Sequence, residues 1–288
     1  MRTVIGVALL VAACGKSEKP PPPPPPPAEG LELVDPGLAP LAVVHYQLAK
    51  GTHTAIEMSL QSELTASSGN RTMPTLVVDT DITAEDVLPD GAFRVRTAVT
   101  SVAAGEELTS AMQILVGTSL VGTLTPSGVL GNLVTDAGGH VVPPALDQQM
   151  ATLRTSFEQL AMPLPAQPIG IGALWRYNKS IDQGGMKMTS ATTIKITAIT
   201  GTTMTYALSS EVTGPDQSLT QAGTTIKIKN IAGKARGTGT LDLTTMTVVG
   251  ELTAELHSDM ADAASTERVG MTTTTKLGPA PQGAQKAP

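Results

Sequence analysis

Thr193-Ile194-Lys195-Ile196-Thr197, then Thr200-Gly201, then Met204-Thr205-Tyr206-Ala207-Leu208, is the stretch that decides the fold. Apolar and polar side chains alternate with a period of two on either side of a glycine. Many of them are β-branched, which suits a pleated, half-buried surface. The pattern predicts an antiparallel hairpin with one packed face and one wet face. The same alternation recurs in Ile56-Glu57-Met58-Ser59-Leu60-Gln61, in Thr225 to Lys229, in Thr240 to Leu243 and in Leu252 to Leu256. It recurs again in Phe93 to Val99, where Pro89-Asp90-Gly91 supplies a turn in which glycine can take positive φ. The expectation is an all-β fold of curved antiparallel sheets.

One segment departs from this period. Leu146, Met150, Leu153, Phe157 and Leu160 are spaced four, three, four and three, which gathers them on one stripe of an α-helix over about 145–161. Pro144 suits its first turn, and Pro163, Pro165 and Pro168 forbid continuation. The polar face carries Asp147, Gln148, Gln149 and Glu158 with only Arg154, so the helix is expected to pack internally against the sheet and not on a membrane surface. The domain is therefore expected over 31–277, with one central helix. Thr75 to Ile82 with Phe93 to Val99 on one side of it, and Thr192 to Ile199 with Thr203 to Val212 on the other, leave two readings open. One is a pair of duplicated halves packed around the helix; the other is the general likeness of threonine-rich hairpins.

The N-terminus has a different grammar. Met1-Arg2, the apolar run Val4 to Leu10 and then Val11-Ala12-Ala13-Cys14 resemble a bacterial lipoprotein signal peptide over 1–13, with lipidation at Cys14. A transmembrane span needs about 20 apolar residues, and this run ends well short of that. Cys14 is the only cysteine in the chain, so no intrachain disulfide is possible. By the same resemblance, acylation with palmitate-like chains holds the mature protein in a membrane, and Gly15 suits the outer membrane and a periplasmic or surface face. Residues 14–30 then form a tether. The run Pro20 to Pro27 should adopt polyproline II, a semi-rigid spacer of roughly 25 Å at 3.1 Å per residue. Residues 278–288, rich in Gly, Pro, Ala and Gln, are expected to be a disordered tail.

Composition narrows the chemistry. Aromatic residues make up 2% of the chain, and the formal net charge is −6 with Lys and Arg scattered, which speaks against sugar platforms and nucleic-acid grooves. His45, His53, His140 and His257 have no zinc-type spacing, and no metal or cofactor is expected. Asp79-Thr80-Asp81 and Glu106-Glu107 read as solvated acidic loops before calcium ligands. Ser127 lacks a nucleophile-elbow frame, and the G-x-G within Gly233 to Gly239 reads as a flexible turn. No catalytic residue emerges, so the chain is not expected to be an enzyme.

Val44-His45-Tyr46-Gln47-Leu48-Ala49-Lys50-Gly51, Pro168-Ile169-Gly170-Ile171-Gly172-Ala173-Leu174-Trp175 and the helix with its proline exit together resemble an uncharacterised family of secreted bacterial lipoproteins, common in myxobacteria. The likeness covers most of Leu41 to Leu277. It implies a two-part, all-β architecture with a central helix, and no established activity. Trp175, Met150 and Phe157 are the candidates for ligand contact or core, with Gly170 and Gly172 permitting close backbone approach beside the tryptophan. Two roles remain open for a membrane-anchored, non-enzymatic lipoprotein. One is a carrier for a lipid or other amphiphile, in a hollow between sheet and helix that Met58, Met112, Met150, Met186, Met188 and Met204 would line. The other is a solid body that docks an envelope protein.

Overall fold

The structure, a computed structural model, describes residues 30–105, 109, 112–136, 154, 157, 161–183, 185–221, 224–261 and 266–281. The described strands are, in chain order, β1 (Leu31–Asp35), β2 (Leu38–Ala42), β3 (His53–Ala66), β4 (Gly69–Thr72), β5 (Leu76–Val87), β6 (Phe93–Ala103), β7 (Ser119–Leu124) and β8 (Leu130–Asp136). They continue as β9 (Ile169–Ile171), β10 (Leu174–Gln183), β11 (Met186–Thr200), β12 (Thr203–Gly214), β13 (Gln217–Gln221), β14 (Thr224–Asp242), β15 (Val248–Ala261) and β16 (Thr266–Pro279). One antiparallel sheet of fourteen strands runs β1-β10-β11-β12-β14-β15-β16-β3-β5-β6-β7-β8, with β13 added to β14 and β4 to β3; β2 and β9 form a separate two-stranded ribbon.

The all-β expectation agrees with this architecture, but several details differ. The halves belong to one continuous sheet and not to separate ones, because the last strand returns to pair with β3 over Gly270↔Thr65 to Pro279↔Ile56. That strand also absorbs Gly278 and Pro279, which composition had assigned to the tail. The central α-helix is not part of the described architecture. Its only helical element is the 3-10 turn Gln113–Leu115, and most of the stretch 145–161 lies outside the described residues. Within that stretch only Arg154, Phe157 and Ala161 are described, and the first two are helical. The stripe spacing reports which side chains share a face, and it does not by itself establish a helix in this fold.

The hairpin that opened the sequence reading is β11–β12. Thr200 pairs with Thr203 across a turn in which Gly201 has φ +60°, a left-handed value that a residue without Cβ takes at no steric cost. From there Ile194↔Leu208 and Thr192↔Ser210 face one side, while Lys195↔Ala207 and Thr193↔Ser209 face the other.

Gly233 to Gly239 is the middle of a nineteen-residue strand and not a turn. Gly233, Ala235, Gly237 and Gly239 alternate, so all four point to the inner face of β14. A Cβ at Gly237 would lie 2.5 Å from the Glu251 carbonyl oxygen and 3.0 Å from Leu252 Cδ1; one at Gly233 would meet Glu255 and Leu256 in the same way. The missing side chains let β15 lean over β14, and the sheet curls there.

The curl brings both halves onto one large core at one end of the sheet. Ile56, Ile82, Phe93 and Leu124 from one half meet Trp175, Ile194, Ile196, Met204 and Leu241 from the other. Segments 43–49 and 161–168 stitch that end shut. The Tyr46 amide donates to Pro126 O at 2.9 Å, the Gln47 amide to Leu243 O at 2.9 Å and the Leu164 amide to Ser127 O at 2.8 Å. Tyr46 is 1% exposed; its hydroxyl accepts from the Met162 amide at 3.0 Å and donates to Met162 O at 3.3 Å. A side chain at Gly128, where φ is +81°, would collide with the Met162 carbonyl and the Tyr46 ring.

Candidate functional site

The core does not run the length of the sheet. Beyond the stitched end lie two smaller clusters, one around Val78, Val99, Val102, Leu120 and Phe157, the other around Met188, Ile228 and Ile231. Between them the seam strand β16 has no buried residue at all, although it sits in the interior of the sheet order. Its neighbour β3 buries only Thr54 and Ile56, and β15 buries only Val248 and Ser258. A sheet strand packed on a filled core buries one full face, whereas among the described residues the inner face at this seam is only partly covered, with Leu208 against the large core and Val212 and Leu256 against the third cluster.

Register defines what lines it. One row across the strands is Leu60–Thr275–Leu252–Gly237–Leu208–Ile194–Trp175. Two residues along the strands lies a polar row, Ser62–Thr273–Ala254–Ala235–Ser210–Thr192–Tyr177. Two further on comes Leu64–Met271–Leu256–Gly233–Val212–Ser190. Leu60, Leu64, Leu208, Val212, Leu252 and Leu256 are all half-buried, and Met271 is 39% exposed. Apolar walls therefore flank a band of hydroxyls.

That band is internally satisfied where it is buried. Ser190 Oγ and Ser210 Oγ lie 2.7 Å apart, Thr192 donates to Ser210 Oγ at 3.1 Å, and Ser62 and Thr273 pair at 3.0 Å. Tyr177 hydrogen-bonds Thr192, yet burial dominates and pushes its phenol up to about 12; burial raises Tyr206 as well. Buried hydroxyls need partners, and here they find one another.

Trp175, singled out by sequence, ends the first of these rows. It is fully buried in the large core, and its indole N–H donates to Pro163 O at 3.0 Å. Gly170 is packed as tightly as expected: its Cβ would strike Leu38, and one at Gly37 would lie 2.6 Å from the Ala173 amide. Phe157 is 4% exposed within the second cluster, while Met150 and Cys14 lie outside the described residues. The described methionines do not line one hollow. Met204 belongs to the large core, Met188 and Met186 to the third cluster, and Met58 and Met112 border the second.

The remaining candidates are dispersed. His53 Nε2 lies 3.4 Å from Asp81 on the outer face, the Nδ1 atom of His45 is buried without a partner, and His140, Glu106 and Glu107 lie outside the described residues. Among the described residues no three His, Cys, Asp or Glu side chains could hold a metal ion. Asp79 and Asp81 sit on β5 and not in a loop. Ser127 lies at a turn beside Thr125, its Oγ 2.9 Å from Thr125 Oγ1. On the outer face, a shallow groove of about 490 Å³ is bordered by Thr205, Thr238, Thr240, Val249 and the ion pair Lys276–Glu251 at 4.0 Å. Both partners of that pair are more than half exposed, so it fixes little. No described helix is long and apolar enough to cross a membrane.

A family described only as a family of unknown function, DUF6263, matches residues 147–248, the part of the chain that carries Trp175, the β11–β12 hairpin and the glycine row of β14. No curated protein matches the chain. A solved structure concerned with lipid–protein interactions in lipovitellin is similar over 84% of this chain and 27% of that one, at 10% identity and a TM-score of 0.47. The chain thus spans about a quarter of that protein's length, and a likeness so low bears on neither fold nor function.

Proposed function

We propose that this protein is a non-enzymatic lipoprotein, anchored through acylated Cys14 to the outer membrane, that binds a single-chain amphiphile along the inner face of its sheet. One observation carries the reading: an interior strand, β16, with no buried residue, set among half-buried leucines on both sides. Open apolar surface of this shape, banded by hydroxyls, matches a ligand with a long apolar part and a polar group. From Leu60 on β3 to Leu208 on β12 the row crosses four inter-strand steps, roughly 19 Å at the usual strand spacing. Each methylene laid there would contribute about 0.8 kcal/mol if fully buried. The lipobox-like Val11-Ala12-Ala13-Cys14 and the proline stalk support the address.

Native mass spectrometry of the chain from Gly30 onward, purified from cells that contain membranes, tests the binding. A co-purifying adduct of lipid mass is expected. A clean polypeptide that also fails to take up added fatty acid would refute it.

A further inference from the structure

Five of the large apolar side chains that the described residues leave exposed fall within one small region. Leu38 is 73% exposed, Val34 50%, Ile171 47%, Leu41 44% and Val43 40%. Leu38 and Ile171 are register partners in the β2–β9 ribbon, and Leu41 Cδ2 lies 3.1 Å from the Cβ position of the neighbouring Gly170. The ribbon is firmly built beneath them, with the Gly170 amide donating to Pro36 O at 2.8 Å and the Gly172 amide to Ile196 O at 2.9 Å. Exposed apolar side chains gathered on one such firmly held ribbon mark a contact site.

We infer that this ribbon seats the body on a lipid bilayer. The inference rests on the anchoring proposed above, and the position of the chain end argues for that occupant. The described body starts at Gly30, eight residues before Leu38, and Cys14 lies sixteen residues before Gly30. Leu38 thus lies 24 residues from Cys14, within reach of the membrane that holds it. Tethering makes the contact intramolecular, so a patch too small to bind membranes alone is populated. The charges around it are mixed, with Glu32 paired to Arg176 at 2.8 Å and Asp35 accepting from the Gly37 amide. The contact is apolar and does not depend on anionic lipid.

The test uses the full lipidated chain anchored in phosphatidylcholine vesicles. Acylation consumes the Cys14 thiol, so Leu38→Cys, Ile171→Cys and Asn70→Cys each offer one site for an environment-sensitive dye. Asn70 is exposed on β4, at the far end of β3 from the large core, and serves as the control. Insertion by about 5–10 Å, as for interfacial segments, predicts that shallow nitroxide-labelled lipid quenches dyes at 38 and 171 and spares the one at 70. Equal quenching at all three positions, none at any, or dye self-quenching without vesicles, as in pairing with a second copy, would each overturn the seat. A thiol count on the unsubstituted chain separates the two failures. A titratable Cys14 refutes the anchor; an acylated chain with unquenched 38 and 171 refutes the ribbon.

Discussion

Gly237→Ala should lower stability, against the usual sign for a strand interior. Replacing glycine by alanine in a strand ordinarily gains roughly 0.5–1 kcal/mol, because the unfolded chain loses freedom. Here the new Cβ would sit 2.5 Å from the Glu251 carbonyl oxygen, 3.0 Å from Leu252 Cδ1 and 3.1 Å from Leu252 Cα. The leucine tip can rotate away, but two of the three atoms are backbone of the paired strand, held by the register from Thr240↔Val249 to Ala232↔His257. Overpacking of this kind costs typically 1–3 kcal/mol, so the net loss should be about 1–2 kcal/mol. For a domain of this size that is a fall of roughly 2–8 °C in the melting temperature. Gly278→Ala is the internal control, since nothing lies within 4 Å of its Cβ position, and it should be neutral or stabilising. Thermal melts by circular dichroism read both. If Gly237→Ala melts at or above the parent temperature, the glycine row does not enforce the curl, and the shape of the inner face is wrongly explained.

Tyr46→Phe leaves the Met162 amide and carbonyl without their buried partner and should cost about 1–3 kcal/mol in a urea titration; an unchanged midpoint would show that the 161–168 segment is not held by that hydroxyl. Ser210→Ala removes one partner each from Ser190 and Thr192, which keep one another at 3.1 Å, and should cost about 0.5–1.5 kcal/mol, with a larger loss than Ser209→Ala on the exposed face. Burial raises the pKa of all three tyrosines, most strongly at Tyr46 and up to about 12 at Tyr177. Stability from these groups is full below pH 10, where the unfolded phenols are neutral too, and is lost as pH climbs through the folded values. Tyrosinate absorbance should therefore stay flat through the ordinary phenol range and rise together with loss of strand signal; a separate early rise would show that the phenols are wet.

What the sequence disclosed was local. The β11–β12 and β5–β6 hairpins were legible because period-two alternation flanks a turn glycine, Gly201 or Gly91, and both elements are close in the chain. The seam was not legible, because Ser62 and Thr273 stand 211 residues apart and nothing near either one encodes the pairing. The apolar row depends on that seam, so Leu60, Leu208 and Leu252 could not be grouped beforehand. Gly233 to Gly239 was misread for a physical reason: glycine marks turns by its freedom in φ, and here it serves through its missing Cβ. The alternation of Gly233, Ala235, Gly237 and Gly239 with Lys234, Arg236 and Thr238 was the available signal. Trp175 was visible as an outlier in an aromatic-poor chain, and its place at the end of the apolar row follows from its pairing with Ile194.

The partly covered inner face is proposed to take an amphiphile. Titrating a fluorescent long-chain fatty acid into the chain from Gly30 onward, beside Leu252→Lys, tests it most directly, because Leu252 is half-buried at the centre of the row. Saturable uptake at one site by the parent and its loss in the variant are expected, with the strand signal of both intact. Binding that never saturates, or that is equal in the two proteins, would contradict it.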